Sequence, residues 1–198
     1  MRILAPLLLA VAFGPATAAV VNFDSYMPRY DFSMSTIVTD GFSFTSSCDC
    51  IGVDDQQPQT VGGDLLPGAY NGTASLLYSV DPLTIAAVGG AAFYLDRLDL
   101  GLSYYVPDAE VGGIATLTLS LAGGGSSSID VALDRSYTTV VIGQDVLGVT
   151  VNGGRSFGYV SLDNFVVNTV PEPESAGLAL AALLGAGAAM RRRRQASA

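Results

Sequence analysis

Oxygen and sulfur ligands are the residues in this chain whose types could do chemistry. Asp24 stands early, in "VNFDSY", and Asp163-Asn164 stand late, in "FGYVSLDNFVV". Oxygen ligands at these positions suit Ca²⁺, which takes carboxylates and amide carbonyls. The competing reading is that Asp163 and Asn164 cap a strand end or hydrogen-bond a turn. Cys48 and Cys50 are the two cysteines, with Asp49, Asp54 and Asp55 alongside in "SSCDCIGVDD". Outside the cytoplasm they form a local disulfide, crosslink to another chain, or stay as free or metal-bound thiols. An i, i+2 bridge needs a bent backbone to bring the two Cα atoms into range. Two thiols without histidine are too few soft ligands for zinc.

For a hydrolase, Asp108 and Glu110 lie in a Pro- and Gly-bounded loop and could be cast as acid and base. An ordinary solvated acidic loop is the plainer account. For sugar binding, Tyr26, Tyr30, Tyr104 and Tyr105 could stack on pyranose rings, although the tryptophan that leads in such sites is absent. There is no histidine, which excludes Ser-His-Asp and Cys-His catalysis and imidazole metal sites.

The charge distribution excludes another class. Sixteen of the eighteen acidic residues, but only four of the nine basic ones, fall between positions 19 and 170, leaving that region at about −12. All nine basic residues are arginine. So acidic a region repels phosphate backbones, which argues against nucleic acid.

The elements that must position these residues are strands. Between 19 and 170, helical periodicity gives way to short runs such as "SLLYSV", "IATLTLSLA", "SSIDVAL", "YTTVVI" and "VLGVTV". Turn clusters such as "LPGAYNGT", "VPDAEVGG" and "GGGSSS" separate them. In "ATLTLSL", Leu117, Leu119 and Leu121 alternate with Thr116, Thr118 and Ser120. "AAFYLDRLDLGL" shows the same pattern, Leu98, Leu100 and Leu102 alternating with Arg97, Asp99 and Gly101. Many short strands with regular turn signals predict an all-β fold, an antiparallel β-sandwich or jelly roll, in one domain over 19–170. First and last strands of such folds are often neighbours, which would bring Asp24 toward Asp163.

The flanks differ in kind. Arg2, the apolar "ILAPLLLAVAFG" and the small-residue Ala16-Thr17-Ala18 read as a signal peptide over 1–18. At the other end, Pro171-Glu172-Pro173 precedes an uncharged Ala-, Leu- and Gly-rich stretch over 175–190. As a helix it would be about 24 Å long, a little short of a bilayer core. Arg191, Arg192, Arg193 and Arg194 follow, and clustered arginine stays on the cytoplasmic side. The prolines hold the preceding peptide extended, within reach of a protease outside the membrane.

These three parts in this order resemble the PEP-CTERM sorting signal of Gram-negative bacteria, over 171–198. The resemblance implies an exported protein, held transiently in the inner membrane by a transmembrane helix and cleaved at Pro-Glu-Pro by exosortase. It also implies a final place at the cell surface or in the extracellular matrix, often beside exported polysaccharide. The phrases "VNFDSY", "DGFSFTS", "FYLDRLDLG" and "FGYVSLDNFVV" resemble the jelly-roll domain of such proteins, similar to carbohydrate-binding modules, which often carry a structural calcium. The function expected is a structural or adhesive matrix component, without catalysis, that binds polysaccharide; the alternative is a secreted glycan or polysaccharide hydrolase.

Overall fold

The computed structural model describes residues 18–26, 29–55, 59–61, 64–66, 68–79, 81–103, 111–153 and 160–168, with side chains omitted at 29–32, 59–61 and 64–66. The expected signal peptide, sorting motif, apolar stretch and arginine cluster lie outside these residues, as do Tyr104, Tyr105, Asp108 and Glu110. Among the described residues no helix is long and apolar enough to cross a membrane.

Among the described residues every element is a strand: β1 (Ala18–Val21), β2 (Arg29–Met34), β3 (Thr36–Thr39), β4 (Phe42–Thr45), β5 (Ile51–Asp54), β6 (Gln59–Val61), β7 (Asp64–Leu66), β8 (Ser75–Tyr78), β9 (Leu83–Ala87), β10 (Phe93–Leu102), β11 (Ile114–Leu121), β12 (Ser126–Ala132), β13 (Thr138–Asn152) and β14 (Val160–Asn168). All pairings are antiparallel. Twelve strands form one sheet: nine along the path β2-β5-β8-β14-β10-β13-β9-β4-β3, with β1 on β14 and β12-β11 on β13; β6 and β7 pair by themselves. The Ala18–Val170 stretch forms one unit by its contacts.

Local chemistry accounts for much of this. The β3–β4 hairpin turns at Asp40-Gly41, with φ of 48° and 81°. Two positive φ angles in a two-residue loop are what a right-twisted hairpin needs, and Asp-Gly supplies them cheaply. The alternation expected for "ATLTLSL" is present: Leu117 and Leu119 are buried, Thr116 and Thr118 half-exposed, Ser120 exposed. Leu98, Leu100 and Leu102 are likewise buried. Upstream of them the inward positions are Phe93 and Leu95, because the register shifts between Leu95 and Arg97. The runs "YTTVVI" and "VLGVTV" belong to one strand, β13, continuous through Gly143-Gln144-Asp145, where Gly143 takes a φ of 65°.

β13 also explains how a single sheet encloses a core. Its first half pairs with β10 and its second half with β11 and β9. The row through Phe44 and Ile85 reaches β13 at Val149; the row through Val166 and Arg97 reaches it at Val141. On a straight strand those rows would be about 26 Å apart at 3.3 Å per residue. Yet the rings of Phe44 and Phe165 have centroids 5.8 Å apart. The sheet therefore folds over along β13 into two facing layers, a β-sandwich. One layer is β2-β5-β8-β14-β10 with the first half of β13; the other is β12-β11, the second half of β13, and β9-β4-β3.

Between the layers, Phe42, Phe44, Phe93 and Phe165 meet edge-to-face or tilted. Phe23 adds to Phe44 at 5.2 Å. Phe165 touches three of these rings and is fully buried. Truncating Phe165 to Ala should lower unfolding stability by roughly 3–5 kcal/mol, from lost transfer energy and a cavity the rigid layers cannot close. Denaturant unfolding measures this; a loss below about 1 kcal/mol would mean the layers do not meet there.

Candidate functional site

Asp163 lies on β14, opposite Asp99 of β10 and fully buried. Its partners come from a distant piece of chain. Segment 68–74 crosses the outer side of the first layer, tied down where the Ala69 N–H donates to the Leu102 carbonyl at 2.8 Å. A Cβ at Gly101 would collide with Ala69, so only glycine lets the segment lie this close. Asn71 begins an Asx-type turn, its Oδ1 accepting from the Thr73 N–H at 3.1 Å. The turn presents the Asn71 Nδ2 to Asp163 Oδ2 at 2.8 Å. The Thr73 hydroxyl sits 2.7 Å from the same oxygen and 2.5 Å from Asn71 Oδ1, one proton between two acceptors. The backbone N–H of Asn164 donates to Asp163 Oδ1 at 2.7 Å.

Asp24 closes the same turn from the other side. The expectation placed it in the first strand; it stands instead in the turn after β1. The chain there bends back at once, with the Tyr26 N–H donating to the Phe23 carbonyl. That bend lets Asp24 Oδ1 accept from the Ala74 N–H at 2.9 Å. β1 and β14 are neighbours, Val21 opposite Phe165, so Asp24 and Asp163 do converge on residues 71–74.

Asn164 does something else. Its φ is 47°, a left-handed conformation that asparagine tolerates better than most residues. It breaks the strand's alternation, so Leu162 and Phe165 both face the core while Asp163 faces segment 68–74. Its Nδ2 donates to Asp99 Oδ2 at 2.8 Å, and the Thr139 hydroxyl donates to Asp99 Oδ1 at 2.6 Å. Like charges opposite each other on adjacent strands are unfavourable; here each carboxylate has its own donors.

Next to this pair runs a chain of hydroxyls. Ser161 Oγ donates to Ser75 Oγ at 3.0 Å and lies 2.6 Å from the Tyr137 hydroxyl. Burial pushes the Tyr137 phenol up to about 12, aided by the charges of Asp163 and Asp99 and opposed by the serine hydrogen bonds. Burial also raises the Asp163 carboxyl above the ordinary carboxylate value, with the charge of Asp24 adding to it; Thr73, Asn164 and Asn71 pull the other way.

A calcium cage needs six to eight oxygens with free lone pairs. Three donors already occupy Asp163, Asn164 turns its amide to Asp99, and among the described residues no group of three or more Asp, Glu, Cys or His gathers. The side chains fit a hydrogen-bonded clamp on the 71–74 turn better than a cation site. Asn71, Thr73, Asp99 and Thr139 were not singled out from sequence; "YNGT" signalled only a turn.

The two cysteines are joined in a disulfide, Cys48 to Cys50, with Cα atoms 5.2 Å apart. The bridge sits against the Ser46 hydroxyl and the Ser79 carbonyl, and is half-buried. Tyr26 is committed elsewhere: its hydroxyl donates to the Val38 carbonyl at 2.7 Å and its ring packs on the core.

Asp163→Ala should lower the melting temperature by the same amount with calcium and with a chelator, because what it removes is a set of hydrogen bonds; a loss seen only with calcium would restore the cation. The raised Asp163 pKa also sets a sign. A carboxyl that holds its proton more tightly when folded stabilises most below the ordinary value of 3.8, and that contribution fades as pH rises through the raised pKa. Subtracting the Asp163→Asn melting curve from wild type over pH 3 to 8 (roughly the span in which carboxyls titrate) should show wild type losing ground as pH rises. A difference that grows with pH would reverse the assignment.

No protein-family model and no curated protein matches the chain. Among solved structures it is similar to a variant of the family 29 carbohydrate-binding module CBM29-2, at TM-score 0.40 and 10% identity, over 78% of this chain and 92% of that one. It is similar to TmCBM61 in complex with β-1,4-galactotriose at TM-score 0.43 and 14% identity, over 65% and 88%. A bacteriophage CBA120 tailspike enzymatic domain follows at 0.34 and 10%, covering 66% of this chain and 20% of that one. At scores and identities this low, the reading of the site rests on its own geometry.

Proposed function

We propose that this is an exported surface or extracellular-matrix protein without catalytic activity, whose β-sandwich binds polysaccharide. What supports the non-catalytic part is that Asp163, the carboxylate facing Asp99 across β14 and β10, is closed to a substrate. A hydrolytic pair needs two carboxyls open to a substrate between them. Asp163, opposite Asp99, has no exposure and is held by Asn71, Thr73 and Asn164 under segment 68–74. Its work is to fasten a loop. A secreted hydrolase would have to draw on other residues, such as Asp108 and Glu110.

The export and sorting part rests on the sequence. The signal-like 1–18 would send the chain across the inner membrane. The 175–190 stretch would hold it there with Arg191–Arg194 on the cytoplasmic side, and exosortase would act at Pro171-Glu172-Pro173. The acidic middle then faces the outside, where its charge keeps it soluble.

Two experiments bear on this reading. Incubated with polysaccharide from its host, the protein should be retained both with calcium and with a chelator; no retention in either condition refutes the binding. Glu172→Ala should leave a full-length, membrane-held form in the host, visible by immunoblot of membrane and medium. Unchanged release would remove exosortase from the account.

A further inference from the structure

The outer face of the second layer carries an array of hydroxyls that the clamp does not use. Read across the strands by direct Cα pairing, one row is Ser128, Thr118, Thr150, Thr84, Thr45 and Thr36, from β12 through β11, β13, β9 and β4 to β3. None of these registers shifts within the row; the irregularity between β11 and β13 comes beyond it, at Ser120/Leu121. Partnered residues on neighbouring strands share a face, and the 3.3 Å separation of the Thr36 and Thr45 hydroxyls shows it. With strands about 4.8 Å apart, the row spans about 24 Å. Flanking rows continue the pattern. Ser126, Ser120 and Gly148 pair on one side, and Asp130, Thr116 and Asn152 on the other. Thr84, Thr36 and Ser128 are exposed, and Thr118, Thr150 and Thr45 half-exposed, while the alternate residues of the same strands, Leu117, Val149, Ile85 and Phe44, fill the core.

Thr alone would be unremarkable on a strand, since β-branching favours it there. The charge is what sets this face apart. Solvated faces of soluble proteins are ordinarily interspersed with charge. Across these three rows Asp130 is the one charged side chain, and it accepts from the Thr116 hydroxyl at 2.7 Å. The first layer, in contrast, presents Asp96, Arg97 and Asp99 along β10 alone.

We propose that this face is where the chain binds polysaccharide, and that the ligand is a neutral polysaccharide laid across the strands, an inference that rests on the polysaccharide-binding reading above. Each Thr or Ser hydroxyl offers one donor and two acceptor lone pairs, the same complement as a sugar hydroxyl. A β-linked pyranose unit is about as long as the spacing between strands, so successive sugars meet successive hydroxyls. The threonine methyls give the apolar C–H faces of the rings something to rest on. A face whose one charge in these rows is the carboxylate Asp130 gives a polyanion nothing to pair with, which leaves the neutral polymer as its match.

The test uses the full chain in mild detergent, with microcrystalline cellulose and a soluble β-glucan as neutral probes and alginate as the anionic one. Wild type should bind at least one neutral probe and not alginate. Thr118→Arg/Thr150→Arg should weaken that binding at least about tenfold, a loss of roughly one decade in Kd. Thr84→Val/Thr118→Val/Thr150→Val, which keeps shape and strand preference but removes the hydroxyls, should weaken it as well. Val141→Lys, on the first layer, should bind as wild type does. Matching melting curves establish that the variants are folded. Binding that survives both threonine variants overturns this face while leaving polysaccharide binding standing, and loss in Val141→Lys alone moves the contact to the other layer. Binding of alginate only, or a wild-type dimer that the arginine variant splits, gives the face to another occupant. No retention of wild type on either neutral probe or on host polysaccharide overturns this inference and the binding reading together.

Discussion

A carboxylate without exposure to water is costly unless donors surround it, and the way Asp163 meets that cost organises the first layer. Its donors come from positions 71, 73 and 164, so burying it requires segment 68–74 to lie across β14 and β10. That crossing requires Gly101, since any larger residue would strike Ala69. It also requires the left-handed Asn164, which turns Asp163 outward while leaving both Leu162 and Phe165 in the core. The bulge thus joins two cooperative parts, the polar clamp outside the layer and the aromatic cluster inside. Because β1 pairs with the same end of β14, Asp24 fastens the start of the described chain to the same turn.

How much of this was legible in the sequence depended on range. Alternation is a local signal, and the burial of Leu117, Leu119, Leu98, Leu100 and Leu102 followed from it directly. It failed upstream in β10, where the shift between Leu95 and Arg97 exchanges the two faces. It failed in β13 for the opposite reason: "YTTVVI" and "VLGVTV" read as two runs, yet pairing with β10 carries one strand through Gly143-Gln144-Asp145 between them. The four- to six-residue strands β2, β3, β5 and β9 are too short to show a period, and it is pairing into the sheet that fixes them. The approach of Asp24 to Asp163 was legible through topology. The clamp was not, since Asn71 and Asp163 stand 92 residues apart and nothing local to either announces the other.

The two layers divide the chemistry in a way that composition conceals. A count of acidic residues describes the whole middle region as repelling anions. The structure puts the buried carboxylates, Asp54 and Asp163, in the first layer, with Asp99 opposite Asp163 and hydrogen-bonded to Thr139 and Asn164. On the second layer Thr and Ser predominate outside, with Asp130 and the exposed Ile114 and Val38 among them, and Leu, Ile, Val and Phe fill the inside. Such a face stays soluble through hydrogen bonding to water rather than through charge. A neutral, hydroxyl-bearing partner can replace that water without stranding a charge, and an ionic partner cannot. The physical separation of a layer that fastens from a layer that presents is therefore the strongest structural reason to seek a ligand on the second and none on the first.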